Sequence, residues 1–198
     1  MDEIVLRAMA KWPNVPAVYG WLRLDRRGDW WIRDERVGNP AIIAFIGRNY
    51  AHDDRGRWFF QNGPQRVFVT LDYAPFVFRV MGAADGPLEL ETHTGRAISA
   101  VSGAWIDEDG ALLLATEPGA GVVDGRDLAR LVPLFIDADG SALPEDVLGE
   151  LMERLQQGRP APMWLKLRDT TLGIGTIRFA EAPARFGFVR DPEPRVEN

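Results

Sequence analysis

Short runs of apolar residues, many of them alternating with polar ones, dominate this chain and predict many short strands. Residues 17–24 and 29–33 are rich in β-branched and aromatic side chains and flank a polar Asp-Arg-Arg-Gly turn, which predicts a hairpin. The same pattern predicts further strands at 57–60, 65–71, 76–81, 88–92, 98–106, 111–116, 163–168 and 172–179.

Helical periodicity occurs in four segments. The first covers 2–10 and is ended by Trp12-Pro13. The second covers about 39–50, where Asn39 is a favourable N-cap and Pro40 suits the first helical position. A third helix begins at Asp124 or Gly125. The fourth begins at Pro144 and has the clearest apolar stripe, formed by Val147, Leu148, Leu151, Met152 and Leu155.

Three residues recur at one fixed separation. Trp21, Asp53 and Gly56 are matched, 84 residues later, by Trp105, Asp137 and Gly140. We therefore predict an α+β fold of two related subdomains, each a twisted antiparallel sheet with a packed helix, with a cleft between them. The predicted boundaries are an N-terminal arm at 1–16, a first α+β repeat at 17–92, a second at 93–190 and a loose tail at 191–198.

The composition favours a cytoplasmic protein. The chain contains no cysteine, which fits a reducing compartment and excludes disulfides, thiolate metal sites and thiol nucleophiles. The N-terminus begins with acidic rather than basic residues, and no apolar run approaches the roughly 18 residues of a membrane helix. We therefore expect neither secretion nor membrane insertion.

The charge is unevenly distributed along the chain. Residues 1–66 contain 11 bases and 8 acids, a net charge of +3, whereas residues 67–198 contain 12 bases and 21 acids, a net charge of −9. An anion is therefore expected to bind the first third. Duplex nucleic acid is disfavoured as a partner, because the net charge of −6 is not offset by any dense run of basic residues.

The densest polar stretch of the chain begins at Arg48 and ends at Arg66. Arginine and amide side chains there could hold a phosphate or a carboxylate while an aromatic ring stacks on a planar ligand. The alternative is a solvated loop whose acids neutralise its arginines. The predicted ligand-binding residues are Arg48, Asn49, Trp58, Gln61, Asn62 and Arg66.

Other candidates for chemistry are sparse. His52 and His93 are the only histidines, and either could act as a general base in a hydrolase, although each lies in a predicted turn. The Asp107-x-Asp109-Gly110 and Asp137-x-Asp139-Gly140 motifs resemble the start of a calcium loop, but neither has the bidentate glutamate that such a loop needs. Hairpin turns are the simpler interpretation, and we predict no metal and no cofactor.

Most of the seven tryptophans are expected in the core, including Trp21 and Trp105. Trp30 and Trp31 are neighbours on a predicted strand and must face opposite sides of it, so one of them could be exposed. An exposed tryptophan beside Arg33 could form a stacking surface for a sugar or base. Alternatively, it could cover the N-terminal helix.

The strings Gly28-Asp29-Trp30-Trp31-Ile32, Leu71-Asp72-Tyr73-Ala74-Pro75-Phe76 and Leu88-Glu89-Leu90-Glu91-Thr92 resemble those of an uncharacterised bacterial family of unknown function. The resemblance covers about residues 17–170. It implies an α+β protein whose C-terminal half is loosely similar to a pleckstrin-homology fold, with a ligand-linked signalling role. The chain departs from the family pattern at Asn62-Gly63-Pro64-Gln65-Arg66, which keeps a cation but lacks a glutamate.

Together these features favour a non-catalytic binding or signalling module for a small anionic ligand, nucleotide-like ligands included. A hydrolase using His52 or His93 is one alternative. A protein-interaction adaptor that works through an exposed aromatic patch or as a homodimer is another.

Overall fold

The computed structural model describes residues 1–82, 88–168 and 170–194. These ranges contain five α-helices: α1 (Glu3–Lys11), α2 (Pro40–Arg48), α3 (Leu128–Leu131), α4 (Glu145–Gln156) and α5 (Ala182–Phe186). The first six strands are β1 (Val18–Leu24), β2 (Trp30–Ile32), β3 (Glu35–Arg36), β4 (Tyr50–His52), β5 (Trp58–Asn62) and β6 (Gln65–Leu71). The remaining eight are β7 (Phe76–Met81), β8 (Glu89–Thr92), β9 (Val101–Ile106), β10 (Leu112–Thr116), β11 (Gly119–Val123), β12 (Phe135–Ile136), β13 (Trp164–Leu167) and β14 (Thr170–Thr176).

These strands form two sheets, which confirms the predicted α+β class with two sheet-based subdomains. The first sheet has the order β3-β2-β1-β6-β5-β4, and the second has the order β12-β13-β14-β9-β10-β11-β7-β8. Both sheets are mixed rather than purely antiparallel. The parallel pairs are β1 with β6, β9 with β14, and β11 with β7. Hairpins alone cannot produce such pairs, which need a longer connection through other elements.

One strand order occurs in both sheets. Read from β11, the second sheet continues β10-β9-β14-β13-β12, which is the order of the first sheet with each strand in the corresponding position. The two remaining strands, β7 and β8, extend the second sheet beyond β11. Strands β7 and β8 therefore pair in the second sheet, although the sequence analysis groups their residues with the first subdomain.

The local predictions for the long helices are confirmed. Asn39 caps α2 by accepting hydrogen bonds from the backbone N–H groups of Ala41 and Ile42, and Pro40 is the first helical residue. Helix α4 buries Leu148, Leu151 and Leu155, whereas Val147, which was predicted in the same apolar stripe, is 37% exposed. The third predicted helix, in contrast, has only four α-helical residues and continues as a 3-10 turn at Val132–Leu134.

Four hairpin turns share one hydrogen-bonding pattern, at residues 25–29, 53–57, 107–111 and 137–141. In each, the first aspartate accepts the backbone N–H groups of the third and fifth residues on one carboxylate oxygen. The fourth residue is a glycine with φ between 72° and 82°. The two Asp/Gly motifs of the second half are therefore hairpin turns, whose carboxylates bind their own backbone.

The positions of these turns change how the two halves align. Asp53 and Gly56 occupy the same turn positions as Asp137 and Gly140. Trp21, however, lies four residues before the Asp25 turn, whereas Trp105 lies two residues before the Asp107 turn. The two tryptophans are therefore not equivalent. Trp21 is also 48% exposed, so its predicted place in the core is wrong.

A C-terminal segment joins the sheets. After α5 the chain crosses to the first sheet, where Val189 N–H donates to the Gly56 carbonyl and the Arg190 carbonyl accepts from Leu71 N–H. Asp191 accepts a hydrogen bond from the Thr70 hydroxyl, and Pro192 is buried. The predicted loose tail thus begins with residues that contact the sheet, and residues 195–198 lie outside the described part of the chain.

This crossing requires a glycine at position 56. A Cβ on Gly56 would stand 2.0 Å from the Gly187 carbonyl oxygen, and its φ of +72° already disfavours other residues. We expect Gly56→Ala to lower the free energy of unfolding by about 2–4 kcal/mol, because the C-terminal segment must move away. Urea denaturation followed by circular dichroism measures this.

Gly140→Ala is the matched control for this substitution. Gly140 occupies the same turn position with a φ of +82°, but nothing lies within 4 Å of an added Cβ. The free energy of unfolding of Gly140→Ala should fall by only about 1 kcal/mol, which is the conformational cost of a non-glycine residue at this φ. Equal losses for the two variants would contradict the role given to the C-terminal segment.

Candidate functional site

Arg48 and Asn49 hold a carboxylate that belongs to the chain itself. The Arg48 guanidinium donates from Nε and Nη2 to the two carboxylate oxygens of Asp2, at 3.1 Å each, and this keeps the pKa of Asp2 below its ordinary value. Asn49 Oδ1 accepts the backbone N–H of Asp2 at 2.7 Å. These two residues therefore attach the start of α1 to the end of α2.

Trp58 and Gln61 lie in the interior. Trp58 is 7% exposed and packs against Tyr50, His52 and Phe76. The Gln61 amide donates to the Gly63 carbonyl, and its buried Oε1 has no hydrogen-bond partner among the described residues. Because the Gln61 backbone N–H donates to the Asn49 carbonyl, Gln61 lies beside the Arg48–Asn49 pair.

Asn62 and Arg66 are exposed at the β5–β6 hairpin, where Arg66 stacks on Phe59 with its guanidinium carbon 4.7 Å from the ring centroid. The structure therefore brings Arg48, Asn49 and Gln61 together, places Trp58 in the core and leaves Asn62 and Arg66 at the surface. None of the six lines the cleft between the sheets described below.

The two histidines lie in very different surroundings. His52 is exposed, and its Nδ1 lies 2.9 Å from the Asp53 carbonyl oxygen rather than near the carboxylate. His93 is enclosed by Trp30, Tyr50 and Phe76, and its Nδ1 accepts the backbone N–H of Val77. Burial lowers the pKa of His93 to about 3. The ring is therefore uncharged at neutral pH. Because aromatic side chains enclose it, it does not face a substrate in solvent.

The low pKa of His93 predicts a loss of stability in acid. The unfolded chain takes up a proton near pH 6.5, whereas the folded chain takes it up only near pH 3. Between these values the unfolded state binds more protons, so stability falls as the pH drops, by up to about 1.4 kcal/mol per pH unit from this group. Urea unfolding at pH 7, 6 and 5 should show this slope, and His93→Phe should remove it. Identical slopes in the two proteins would refute the assignment.

The cleft between the sheets has a volume of about 360 Å3. Its first wall is the β1–β2 turn, which contributes Arg26 and Arg27. Its second wall is formed by the β9–β10 turn at Asp109 and by the loop after β11, which contributes Asp124, Gly125 and Arg126. Three arginines and two aspartates thus line one concavity, and the lining contains no histidine, serine or threonine.

Arg26 is held against the base of the cleft. Its guanidinium lies over the Tyr73 ring, 4.5 Å from the centroid, and reaches Asp107 at 3.8 Å and Asp109 at 3.5 Å. Tyr73 donates a short hydrogen bond to the fully buried Asp107. Burial, followed by this hydrogen bond and the Asp107 charge, raises the pKa of Tyr73, so its hydroxyl stays protonated.

Within the described residues, the guanidinium of Arg126 is bound to a carboxylate, whereas that of Arg27 is not. Arg126 binds Asp124 through Nε at 3.0 Å and Nη2 at 2.5 Å. Burial alone would raise the pKa of Asp124, but the hydrogen bonds from Arg126 outweigh it and the pKa is lowered. The Arg27 guanidinium, in contrast, has no hydrogen-bond or ion-pair partner within residues 1–82, 88–168 and 170–194.

None of these cleft residues is among the binding residues predicted from the sequence. Arg26 and Arg27 lie in a turn that was predicted correctly, and Arg126 lies beside the predicted start of the third helix. About 100 residues separate the two walls, and no local pattern shows that these turns meet. The one signal for this site in the sequence is the pair of adjacent arginines, Arg26 and Arg27, in the Asp25 turn. The structure adds that the Asp25 carboxylate accepts hydrogen bonds from the turn backbone and from the Trp31 ring N–H, and not from these guanidinium groups.

A family model, DUF2944, described as "Protein of unknown function (DUF2946)", matches residues 1–193. The chain belongs to that family. This confirms the resemblance to an uncharacterised family, and the family description assigns no activity. The similarity of the C-terminal half to a pleckstrin-homology fold stays a prediction.

Two solved structures of bacterial DUF1285 family proteins are similar. The protein from Silicibacter pomeroyi DSS-3 has a TM-score of 0.54 and 17% identity, over 89% of this chain and 97% of that chain. The protein from Shewanella baltica OS155 has a TM-score of 0.42 and 19% identity, over 57% of this chain and 90% of that chain. The first likeness shows the fold alone. No curated protein matches the chain.

The described residues contain neither a metal-ligating cluster nor a membrane-spanning helix. No group of three or more histidine, cysteine, aspartate or glutamate side chains in residues 1–82, 88–168 and 170–194 is arranged to hold a metal ion. Over the same ranges, no helix has both the length and the apolar character needed to span a membrane.

Proposed function

We propose that the protein is a non-catalytic module that binds a small anion in the cleft between its two sheets. The observation that carries the proposal is the unpartnered guanidinium of Arg27, which shares the cleft with Arg26 and Arg126. An unpaired arginine in a concave site offers its full charge and its planar set of donors to a carboxylate or phosphate.

The charges of the cleft support this ligand class. Arg126 uses Nε and Nη2 for Asp124, and its Nη1 has no partner in the described part of the chain. Arg26 contacts its aspartates only at 3.5 Å or more, so it also keeps donors for a ligand. Both arginines come already oriented by carboxylates, which reduces the conformational entropy that ligand binding would cost.

The cleft lining supports binding rather than catalysis. Both of its aspartates are engaged by arginines of the chain, Asp124 by Arg126 and Asp109 by Arg26. The remaining lining apart from the arginines consists of glycine, alanine, valine and leucine, which provide no nucleophile. A hydrolase using His93 is disfavoured because a pKa of about 3 makes that ring a very weak base and aromatic side chains enclose it. One using His52 is disfavoured because its Nδ1 contacts the Asp53 carbonyl oxygen and not the carboxylate.

The sequence-predicted residues Arg48, Asn49, Trp58, Gln61, Asn62 and Arg66 stay a separate proposal for the place of binding. An anion at Arg48 and Asn49 must first displace the Asp2 carboxylate. The cleft requires no such displacement at Arg27, and for this reason we place the ligand there.

Thermal unfolding with inorganic phosphate and citrate, two anions that carry no aromatic ring, tests the proposal. At least one anion should raise the Tm by about 2–5 °C at saturating concentration, because it binds only the folded state. Arg27→Gln should abolish the shift without lowering the Tm of the free protein, since Arg27 has no intramolecular partner to lose.

Arg55→Gln is the matched control. Arg55 is the third residue of the Asp53 turn, as Arg27 is of the Asp25 turn, and its N–H bonds to the turn aspartate in the same way. It does not line the cleft. A shift that survives Arg27→Gln but disappears in Arg48→Gln would move the site to the sequence-predicted cluster. No shift with any anion would contradict the proposed function.

We also propose that the two six-strand blocks derive from one duplicated unit. Their common strand order and the four aspartate turns support this. Superposition of the blocks should pair Asp25 with Asp107 and Asp53 with Asp137, and a best fit that paired other turns would argue against duplication.

Cytoplasmic location and a homodimer stay sequence-based proposals. Cell fractionation tests the first and light scattering the second.

A further inference from the structure

Strand β1 is irregular at one place on the outer side of the first sheet. Val18 pairs with Val67, but Leu22 pairs with Val69, so β1 uses four residues where β6 uses two. Gly20, within this bulge, has a φ of +70°. Bulges turn side chains away from the regular pleat and are frequent beside functional sites. Here the bulge lies immediately before Trp21, which is 48% exposed.

Arg33 is fixed over the exposed indole. Its guanidinium carbon lies 3.7 Å from the Trp21 ring centroid, and its backbone N–H donates to the Trp21 carbonyl at 2.8 Å. Arg33 also has a φ of +55°, and it is the single non-glycine residue with positive φ in the described ranges. An arginine gains nothing intrinsic from this conformation, and such strain is concentrated at functional sites.

The charge of Arg33 is not neutralised. Neighbouring arginines of this sheet bind carboxylates: Arg23 contacts Asp72 at 2.5 Å and Arg36 contacts Asp29 at 2.9 Å. Arg33 has no hydrogen-bond or ion-pair partner for its guanidinium in residues 1–82, 88–168 and 170–194, although Asp34 follows it directly. The indole therefore holds the guanidinium in place while its N–H edge stays available.

These residues border a depression of about 430 Å3, which Arg23, Asp34 and Thr70 also line. That volume falls within the range of small-molecule sites. The depression lies on the outer side of the first sheet and shares no lining residue with the cleft between the sheets.

We propose that Trp21 and Arg33 form a second binding site, for a carboxylate or phosphate group carried on a planar ring. The free edge of the Arg33 guanidinium receives two oxygens of the anion, and the ring of the ligand stacks on the part of the Trp21 indole that Arg33 leaves uncovered. The bulge at Gly20 and the strained backbone of Arg33 hold both groups in place before the ligand arrives, which lowers the entropic cost of binding. This site uses none of the residues on which the proposed function depends.

Calorimetric titration of the full-length Arg27→Gln variant, in which the proposed cleft site is disabled, tests the second site with four probes: adenosine monophosphate, benzoate, inorganic phosphate and acetate. We expect a ring-bearing anion to bind at least about tenfold more tightly than its ring-free counterpart. Binding of adenosine monophosphate alone assigns a phosphate ligand, and binding of benzoate alone assigns a carboxylate ligand. Failure of both, or equal binding of the ring-free anions, overturns the proposal.

Variants locate the binding. Arg33→Gly suits a φ of +55°, so it should leave the Tm unchanged or raised while weakening binding about tenfold or more. Trp21→Ala should weaken binding as well. Arg185→Gln is the matched control, because Arg185 stacks on Trp105 at 4.7 Å away from this depression, and it should bind normally. Binding that persists in Arg33→Gly, or that is lost in Arg27→Gln, contradicts the site.

Discussion

The close approach of the Gly28 backbone to the second sheet sets the relation between the two halves of the molecule. A Cβ at Gly28 would stand 2.8 Å from the Cβ of His93 and 3.4 Å from that of Val77, so only glycine fits. The same turn carries Arg26 and Arg27. Packing of this turn against β7 and the β8 turn therefore fixes one wall of the cleft relative to the other. The Tyr73–Asp107 hydrogen bond, with Arg26 stacked on Tyr73, adds a polar link at the same junction.

Aspartate has a mainly local use in this fold. In each of the four shared turns one carboxylate oxygen accepts two backbone N–H groups, which leaves the second oxygen for a neighbour. The second oxygen of Asp53 accepts a hydrogen bond from Arg57. That of Asp25 accepts from the Trp31 ring N–H, and that of Asp107 accepts from the Tyr73 hydroxyl. The acidic motifs of the second half therefore follow from hairpin construction, and their spacing reflects turn geometry rather than the coordination of a cation.

The sequence predicted what depends on neighbours along the chain. The cap at Asn39, the apolar stripe of α4 and the aspartate turns are local, and they were predicted correctly. The pairing of β1 with β6 and of β7 with β11 depends on strands far apart in sequence, and alternation of apolar residues cannot identify the partner. The tryptophans show the same limit: Trp30 is 1% exposed, whereas Trp21, beside the bulge at Gly20, is 48% exposed. An isolated glycine within a strand signals a bulge, but not which side chains the bulge exposes.

The distribution of charge along the chain was a partial guide to the candidate sites, since pairing in the folded state decides which charges are available. Arg48 lies in the basic first third and was a reasonable candidate, but Asp2 occupies it from 46 residues away. Arg27 and Arg33 lie in the same third, and neither guanidinium is bound to a carboxylate in the described part of the chain. Arg27 lies in the Asp25 turn, and Arg33 is oriented by the indole of Trp21. An arginine already bound to an acid must share or break that bond to receive a ligand, whereas these two need not. For this reason we propose Arg27 and Arg33, rather than the most densely charged segment, as the anion-binding positions of this fold.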